Sequence, residues 1–164
     1  MNKSMQDKFN TREKKPYNLK YFWPEYVFDK KKVTSVWVVV FTPEKKIVLT
    51  ELKRGIDIPG WHVQITDKTL EDAVKREAYE ETKVTIKNLQ LCTVVESDYF
   101  WSAQDELTYM IFYVAEVDEL FEFFPDNESF ARHILSVEEF LGKYAWNKEL
   151  IEKVVYDAEK NIFK

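Results

Sequence analysis

Arg76-Glu77-Ala78-Tyr79-Glu80-Glu81 puts three carboxylates within about one turn of a helix. Three oxygen donors so spaced suit a hard divalent cation such as Mg2+ or Mn2+, which takes oxygen ligands and keeps several waters. A helical projection of residues 70–84 sets Leu70, Ala73, Val74, Glu77, Glu81 and Val84 on one face, with Glu80 at its edge. An apolar stripe therefore runs on into glutamates. Glu77 and Glu81 form an i, i+4 like-charge pair, unfavourable by about 0.2–0.5 kcal/mol. Glu80 and Glu81 sit near the negative end of the helix dipole, at a cost of about 0.3–1 kcal/mol. Burial would cost more still unless a cation compensates. The ordinary alternative is a solvated helix laced by the pairs Glu71–Lys75 and Asp72–Arg76. Both readings stand at this point.

Other residues could meet an anionic or aromatic ligand. Lys53 and Arg54 end a strand, where a guanidinium could clamp phosphate oxygens in a bidentate way or simply face water. Trp61 and His62 follow in the next loop, and His62 could reach a phosphate. Tyr99, Phe100 and Trp101 crowd a strand–loop junction, where a ring could stack on a base or pack in a core. His62 and His133 have no Cys or His partners at zinc spacing and read first as structural. Cys92, the one cysteine, lies in an apolar strand and reads as inert core.

The elements that must position these groups follow from pattern. Val33–Thr42 and Ile47–Leu52 are rich in β-branched residues and read as strands around the Pro43-Glu44-Lys45-Lys46 turn. Residues Thr69–Lys83 read as a helix with Thr69 as N-cap and Glu71 and Asp72 in its first turn. Leu89–Tyr99 and Leu107–Val117 read as strands joined by a polar loop at Ser102–Asp105. Ser136-Val137-Glu138-Glu139 has the form of a capping box opening a short helix, and Asn147–Lys160 reads as a closing amphipathic helix. Strands interleaved with helices predict an α/β domain with helices packed on the sheet.

With 164 residues, 45% of them hydrophobic, the chain can fill one core unaided. The longest apolar run, Val36–Phe41, is far short of the roughly 20 residues of a membrane span. Residues 1–15 are polar and Lys-rich and are expected to fray without acting as a signal peptide. The organisation expected is an extension over 1–32, partly disordered and aromatic-rich at 17–28, ahead of one domain over 33–164. The aromatic stretch is expected to pack on the body or to form a homodimer contact. No membrane partner and no stable nucleic-acid partner is expected, and a lone cysteine suits a cytoplasmic location. The net charge of −5 hides a division, with +7 over residues 1–54 and −12 over 55–164.

Arg76-Glu77-Ala78-Tyr79-Glu80-Glu81-Thr82-Lys83-Val84 resembles the end of the Nudix box, G-x5-E-x7-R-E-U-x-E-E-x-G-U with U aliphatic. Ile58-Pro59-Gly60-Trp61-His62-Val63-Gln64 resembles the Pro-Gly-Gly-His-Val-Glu that commonly opens the box. Phe124–Ser129 and the helix start at Ser136 resemble the family's later loop and helix, so the likeness covers about residues 33–145. Trp61 replaces a Gly, Gln64 a usual Glu and Lys83 the late Gly. The box's first Glu falls on Lys68, and one extra residue in the loop would leave Asp67 near that Glu's place. The resemblance implies an α/β/α sandwich with a mixed sheet, and Mg2+-dependent (or Mn2+-dependent) hydrolysis of a diphosphate linkage in a nucleotide-type small molecule. In that reading Glu77, Glu80 and Glu81 hold the metal and Arg76 orients the helix. Glu128 best matches the family's later-loop base, with Glu96 second; Lys53, Arg54, Trp61 and His62 face substrate. Some ADP-ribose hydrolases of the family carry a proline about 15 residues past the box; none occurs here between Pro59 and Pro125, which argues against that substrate. The altered box loop leaves a second reading open: a catalytically weak or inactive module of the same fold that binds a nucleotide or a protein.

Overall fold

The computed structural model describes residues 18–98 and 107–164. The readings made for residues 1–17, for Tyr99, Phe100 and Trp101 and for the Ser102–Asp105 loop lie outside them. Among the described residues eight strands form one mixed sheet: β1 (Leu19–Phe22), β2 (Val33–Phe41), β3 (Ile47–Leu52), β4 (Gly55–Asp57), β5 (Gly60–His62), β6 (Val84–Ser97), β7 (Thr108–Leu120) and β8 (Ala131–Leu135). Three α-helices accompany them: α1 (Leu70–Thr82), α2 (Val137–Lys143) and α3 (Lys148–Ile162), with a short 3-10 turn at Lys30–Lys32. The main path runs β1-β6-β7-β2-β3-β4, with β5 on β2 and β8 on β3. Among the described residues only β2 and β7 run parallel; every other pairing is antiparallel.

Strand β2 lies at the centre. Val36, Val38 and Val40 face one side and Trp37, Val39 and Phe41 the other, all buried. A strand covered on both faces can carry an unbroken apolar run, which explains its sequence. Each such buried side chain contributes about 1.5–3 kcal/mol. The first side receives Ala73, Val74 and Ala78 of α1. The second receives Val137, Phe140 and Leu141 of α2 and Ile151, Val154, Val155 and Ala158 of α3. This is the expected α/β/α sandwich, in one domain.

The helix starts follow the expected chemistry. The Thr69 hydroxyl accepts from Asp72 N–H at 3.0 Å, Ser136 and Glu139 close a reciprocal capping box, and Asn147 Oδ1 accepts from Leu150 N–H at 3.0 Å. Helix α1 ends at Thr82, so Val84, projected onto its face, instead opens β6. The end is set by Lys83, left-handed at φ 54° where the box has its late Gly. Four short strands, β1, β4, β5 and β8, exceed the pattern reading. The aromatic stretch packs on the body: Leu19–Phe22 adds to β6, Phe22 stacks on Tyr26, and both lie with Phe28 against the α1-side core. No helix among the described residues is long and apolar enough to cross a membrane.

Candidate active site

Arg76 organises the start of the site. Its Nε and Nη2 donate to Asp67 Oδ1 and Oδ2 at 2.9 and 2.8 Å, a bidentate pair across the loop that leads into α1. Its Nη1 donates to Glu77 Oε1 at 2.6 Å and Glu80 Oε2 at 3.1 Å, and Nη2 reaches the His62 carbonyl at 3.4 Å. One guanidinium thus ties the loop to two of the three glutamates. Asp67, which the one-residue offset sets near the place of the box's first Glu, is thus the carboxylate that meets Arg76, and Arg76 holds its carboxyl below the usual range. Arg76 makes these bonds in place of the Asp72 pair that the solvated-helix alternative would have it form.

Glu77 is buried at 6% exposure, and burial raises its carboxyl above the usual range despite Arg76 beside it. Glu81 is more strongly affected, pushed up to about 8 by burial first and by the neighbouring Glu77 second. The Gly60 backbone N–H donates to the Glu81 carboxylate, while Glu81 Oε2 is buried with no hydrogen-bond partner. Glu80, half exposed, stands at the solvent edge. Among the described residues no three Asp, Glu, His or Cys side chains stand in the arrangement of a finished metal site. Arg76 occupies Glu77 Oε1 and Glu80 Oε2.

Gly60 is what lets the loop come so close. At φ 151°, a Cβ there would sit 2.3 Å from the Val36 carbonyl oxygen and 2.6 Å from Trp37 Cα. The next residue, Trp61, is 40% exposed and meets Trp37 edge-to-face at 5.8 Å. Arg54 lies over Trp61 at 4.8 Å and Trp37 at 5.6 Å, and its Nε and Nη2 each stand 3.2 Å from Asp57 Oδ2. Asp57 also accepts from Ile58 N–H at 2.8 Å and is pushed up to about 6 by burial, with Arg54 opposing. Arg54 and Asp57 are the charged members of an otherwise apolar cavity of about 250 Å³ walled by Trp37, Trp61, Phe112 and Trp146. Both also act on Glu81 electrostatically, so the cavity and the glutamates share one charged border.

The remaining expected residues fall in different places. Lys53 is an exposed turn residue between β3 and β4. His62 Nδ1–H donates to the Thr34 carbonyl at 3.0 Å, which turns its ring to β2. Glu96 lies on β6 against Tyr109 Oη at 3.3 Å and Lys20 at 4.0 Å. Glu128 is exposed in the loop before β8; Asp126 Oδ1 accepts from its N–H at 2.8 Å and from Ser129 N–H at 2.7 Å. Ser129 Oγ in turn donates to the Glu81 carbonyl at 2.8 Å. Asp57 and Ser129 escaped the sequence reading. A lone acid between Ile56 and Ile58 in a strand-like run was the available signal for the first; a serine in a polar loop offers none.

A family model described as NUDIX domain matches residues 31–154. A search of curated proteins returns no match. Among solved structures, the pyrophosphohydrolase BsRppH of Bacillus subtilis, in a mutant form, aligns at 19% identity and TM-score 0.65, covering 87% of this chain and 90% of its own. The NUDIX domain of Shewanella oneidensis NrtR, complexed with ADP ribose, aligns at 16% identity and TM-score 0.61, covering 82% and 94%. A NUDIX hydrolase from Nitrosomonas europaea aligns at 20% identity and TM-score 0.57, covering 79% and 90%. At these identities the likenesses speak for the fold, and the family match spans most of the chain. This chain belongs to the NUDIX domain family.

Proposed function

We propose that this protein is a divalent-metal-dependent Nudix pyrophosphohydrolase that cleaves a diphosphate linkage in a nucleotide-type small molecule. One observation carries the reading: Glu81 Oε2 is buried without a partner beside a second buried carboxylate, Glu77. A buried acid beside a carboxylate with a buried, unpartnered oxygen is costly, and an all-oxygen donor set favours a hard cation as the remedy. Glu77, Glu80 and Glu81 would hold Mg2+ or Mn2+. When bound, the metal supplies charge neutralisation for the diphosphate and acidifies an attacking water.

The chain's own residues account for the rest. Arg76, tied to Asp67 and the His62 carbonyl, sets where α1 presents its carboxylates. Glu128 would take the proton as water attacks phosphorus and the phosphorus–oxygen bond to the leaving phosphate breaks. Arg54 at the cavity's border and Lys53 in the adjoining turn would face phosphate oxygens. The aromatic walls at Trp37, Trp61, Phe112 and Trp146 would take a planar apolar moiety such as a base and exclude water around it.

The test is a panel of nucleoside triphosphates, nucleotide sugars, ADP-ribose and dinucleoside polyphosphates, with Mg2+ or Mn2+. Turnover that EDTA abolishes and that Glu81→Gln reduces at least 100-fold is expected, several kcal/mol of transition-state stabilisation being at stake. A fully active Glu81→Gln protein would refute the reading. The second reading, a binding module without turnover, draws on Arg76 occupying Glu77 Oε1 and Glu80 Oε2. Ligand binding indifferent to EDTA, with no turnover across the panel, would establish it.

A further inference from the structure

Thr50 and Ser129 form a buried pair of hydroxyls, at 0% and 1% exposure, between β3 and the loop that carries Glu128. Their oxygens are 2.8 Å apart, and Ser129 Oγ lies 2.8 Å from the Glu81 carbonyl oxygen. The direction of each bond is fixed by valence. A carbonyl only accepts, so the Ser129 proton goes to Glu81. Thr50 must then donate to Ser129. The chain of bonds runs one way, from the sheet through Ser129 into the end of α1.

The neighbouring bonds give this chain its reach. Asp126 Oδ1 accepts the N–H groups of both Glu128 and Ser129, and Asp126 N–H donates to the Ser129 carbonyl at 2.9 Å, so residues 126–129 form a closed turn. Phe130 N–H donates to the Glu51 carbonyl at 2.8 Å and fastens the turn's exit to β3. One peptide link and one hydrogen bond separate Glu128 from Glu81. At the end of α1, the carbonyls of Glu80, Glu81 and Thr82 receive Lys83 Nζ, Ser129 Oγ and Arg132 Nη1 respectively. The first and third donors come from long side chains. Ser129 alone of the three is a short, buried donor adjacent to an acid.

We propose that Ser129, oriented by Thr50, is the positioning residue that holds the Glu128 loop in register with the carboxylates of α1, an inference that rests on the hydrolase site proposed above. It touches neither substrate nor metal; it acts through Glu81 and Glu128. Its loss would remove the loop's bond to the end of α1 and leave the Glu81 carbonyl and the Thr50 hydroxyl without their partner, while Phe130 still ties the loop to β3.

Two readouts test this. The first is Mn2+ binding to the substrate-free protein, followed by electron paramagnetic resonance. Ser129→Ala is expected to weaken Mn2+ about tenfold, the scale of losses from residues that orient metal ligands. Thr50→Val should weaken it less, and Thr50→Ser, which keeps the donor, should stay within about twofold of the parent. The second readout is kcat against KM on the substrate found in the panel. Ser129→Ala should lower kcat about tenfold or more with KM little changed, and should add a smaller loss in a Glu128→Gln background than in the parent. A folded Ser129→Ala protein with parental Mn2+ affinity and kcat would overturn the proposal, as would full additivity with Glu128→Gln. If Ser129→Ala does not fold, a Thr50→Val protein with parental values on both readouts would overturn it equally. A fully active Glu128→Gln protein would refute the base assignment and, with it, this proposal. Absence of Mn2+ binding by the parent would overturn the metal site and this inference together, whereas a working metal site with an indifferent Ser129 would overturn the inference alone.

Discussion

Asp67 holds Arg76 from one place before Lys68, the position on which the box's first glutamate falls. The shorter carboxylate, one place away, meets Arg76 through two bonds of 2.9 and 2.8 Å and is itself capped by Gln64 N–H at 2.8 Å. Bonds to charged groups contribute about 1.5–3 kcal/mol, and leaving Arg76 half-paired adds a penalty. Asp67→Ala should therefore lower urea stability by about 2 kcal/mol and cut turnover at least tenfold, since Arg76 then has only the two glutamates and the long bond to the His62 carbonyl to hold it. Asp57 carries a pH-dependent cost. Burial raises its carboxyl from 3.8 to about 6, so the folded state holds a proton that the unfolded chain has released. Stability from this group is full below about pH 3.8 and is lost as pH rises through about 6. The stability of Asp57→Asn relative to the parent should rise between pH 4 and pH 7.5 by roughly 2.5 kcal/mol, read from paired urea titrations. An unchanged difference would show that Asp57 is not a buried, reluctantly ionised acid.

Elements carry these residues to one another, and they differ in how far the sequence announces them. Helix α1 is legible because its cap, its period and its acidic anomaly are all local; Thr69, Ala73, Val74 and Glu77 stand where a projection sets them. The capping box at Ser136 and the buried run of β2 are legible for the same reason. Strands β4 and β5 are not. Each is three residues long and exists because β3 and β2 offer it hydrogen bonds, so no periodicity in Gly55–His62 could reveal them. The Thr50–Ser129 contact spans 79 residues and is tertiary in the same sense. Gly60 shows what such an element demands. Alanine would drive a methyl into the Val36 carbonyl and strain a positive φ, displacing β5 from β2 and withdrawing the N–H that meets Glu81. Gly60→Ala should cost at least about 2 kcal/mol of stability and most of the turnover. A Gly60→Ala protein with parental melting temperature would refute the close approach.

The whole molecule separates its candidate metal-holding carboxylates from much of its stability. Helix α1 and the glutamates occupy one face of the sheet, while α2 and α3 bury the larger apolar set on the other. A cation that binds the folded state alone stabilises it by mass action, about 2.7 kcal/mol at a hundred times its dissociation constant. For a domain of this size that is a rise of roughly 5–10 °C in melting temperature. Mn2+ or Mg2+ should produce that rise in the parent, EDTA should reverse it, and Glu81→Gln should abolish most of it. Val154→Ala offers the contrasting case. Val154 is fully buried in α3, on the sheet face away from α1, and its truncation should cost about 2 kcal/mol. Because it shares no partner with Glu77, Glu80 or Glu81, its loss should add to the metal effect without altering it. The Val154→Ala protein should melt lower than the parent with and without Mn2+, yet gain the same increment when Mn2+ is added. An increment that shrinks would mean that the two faces of the sheet are coupled, and that the carboxylate site draws on packing across the sheet.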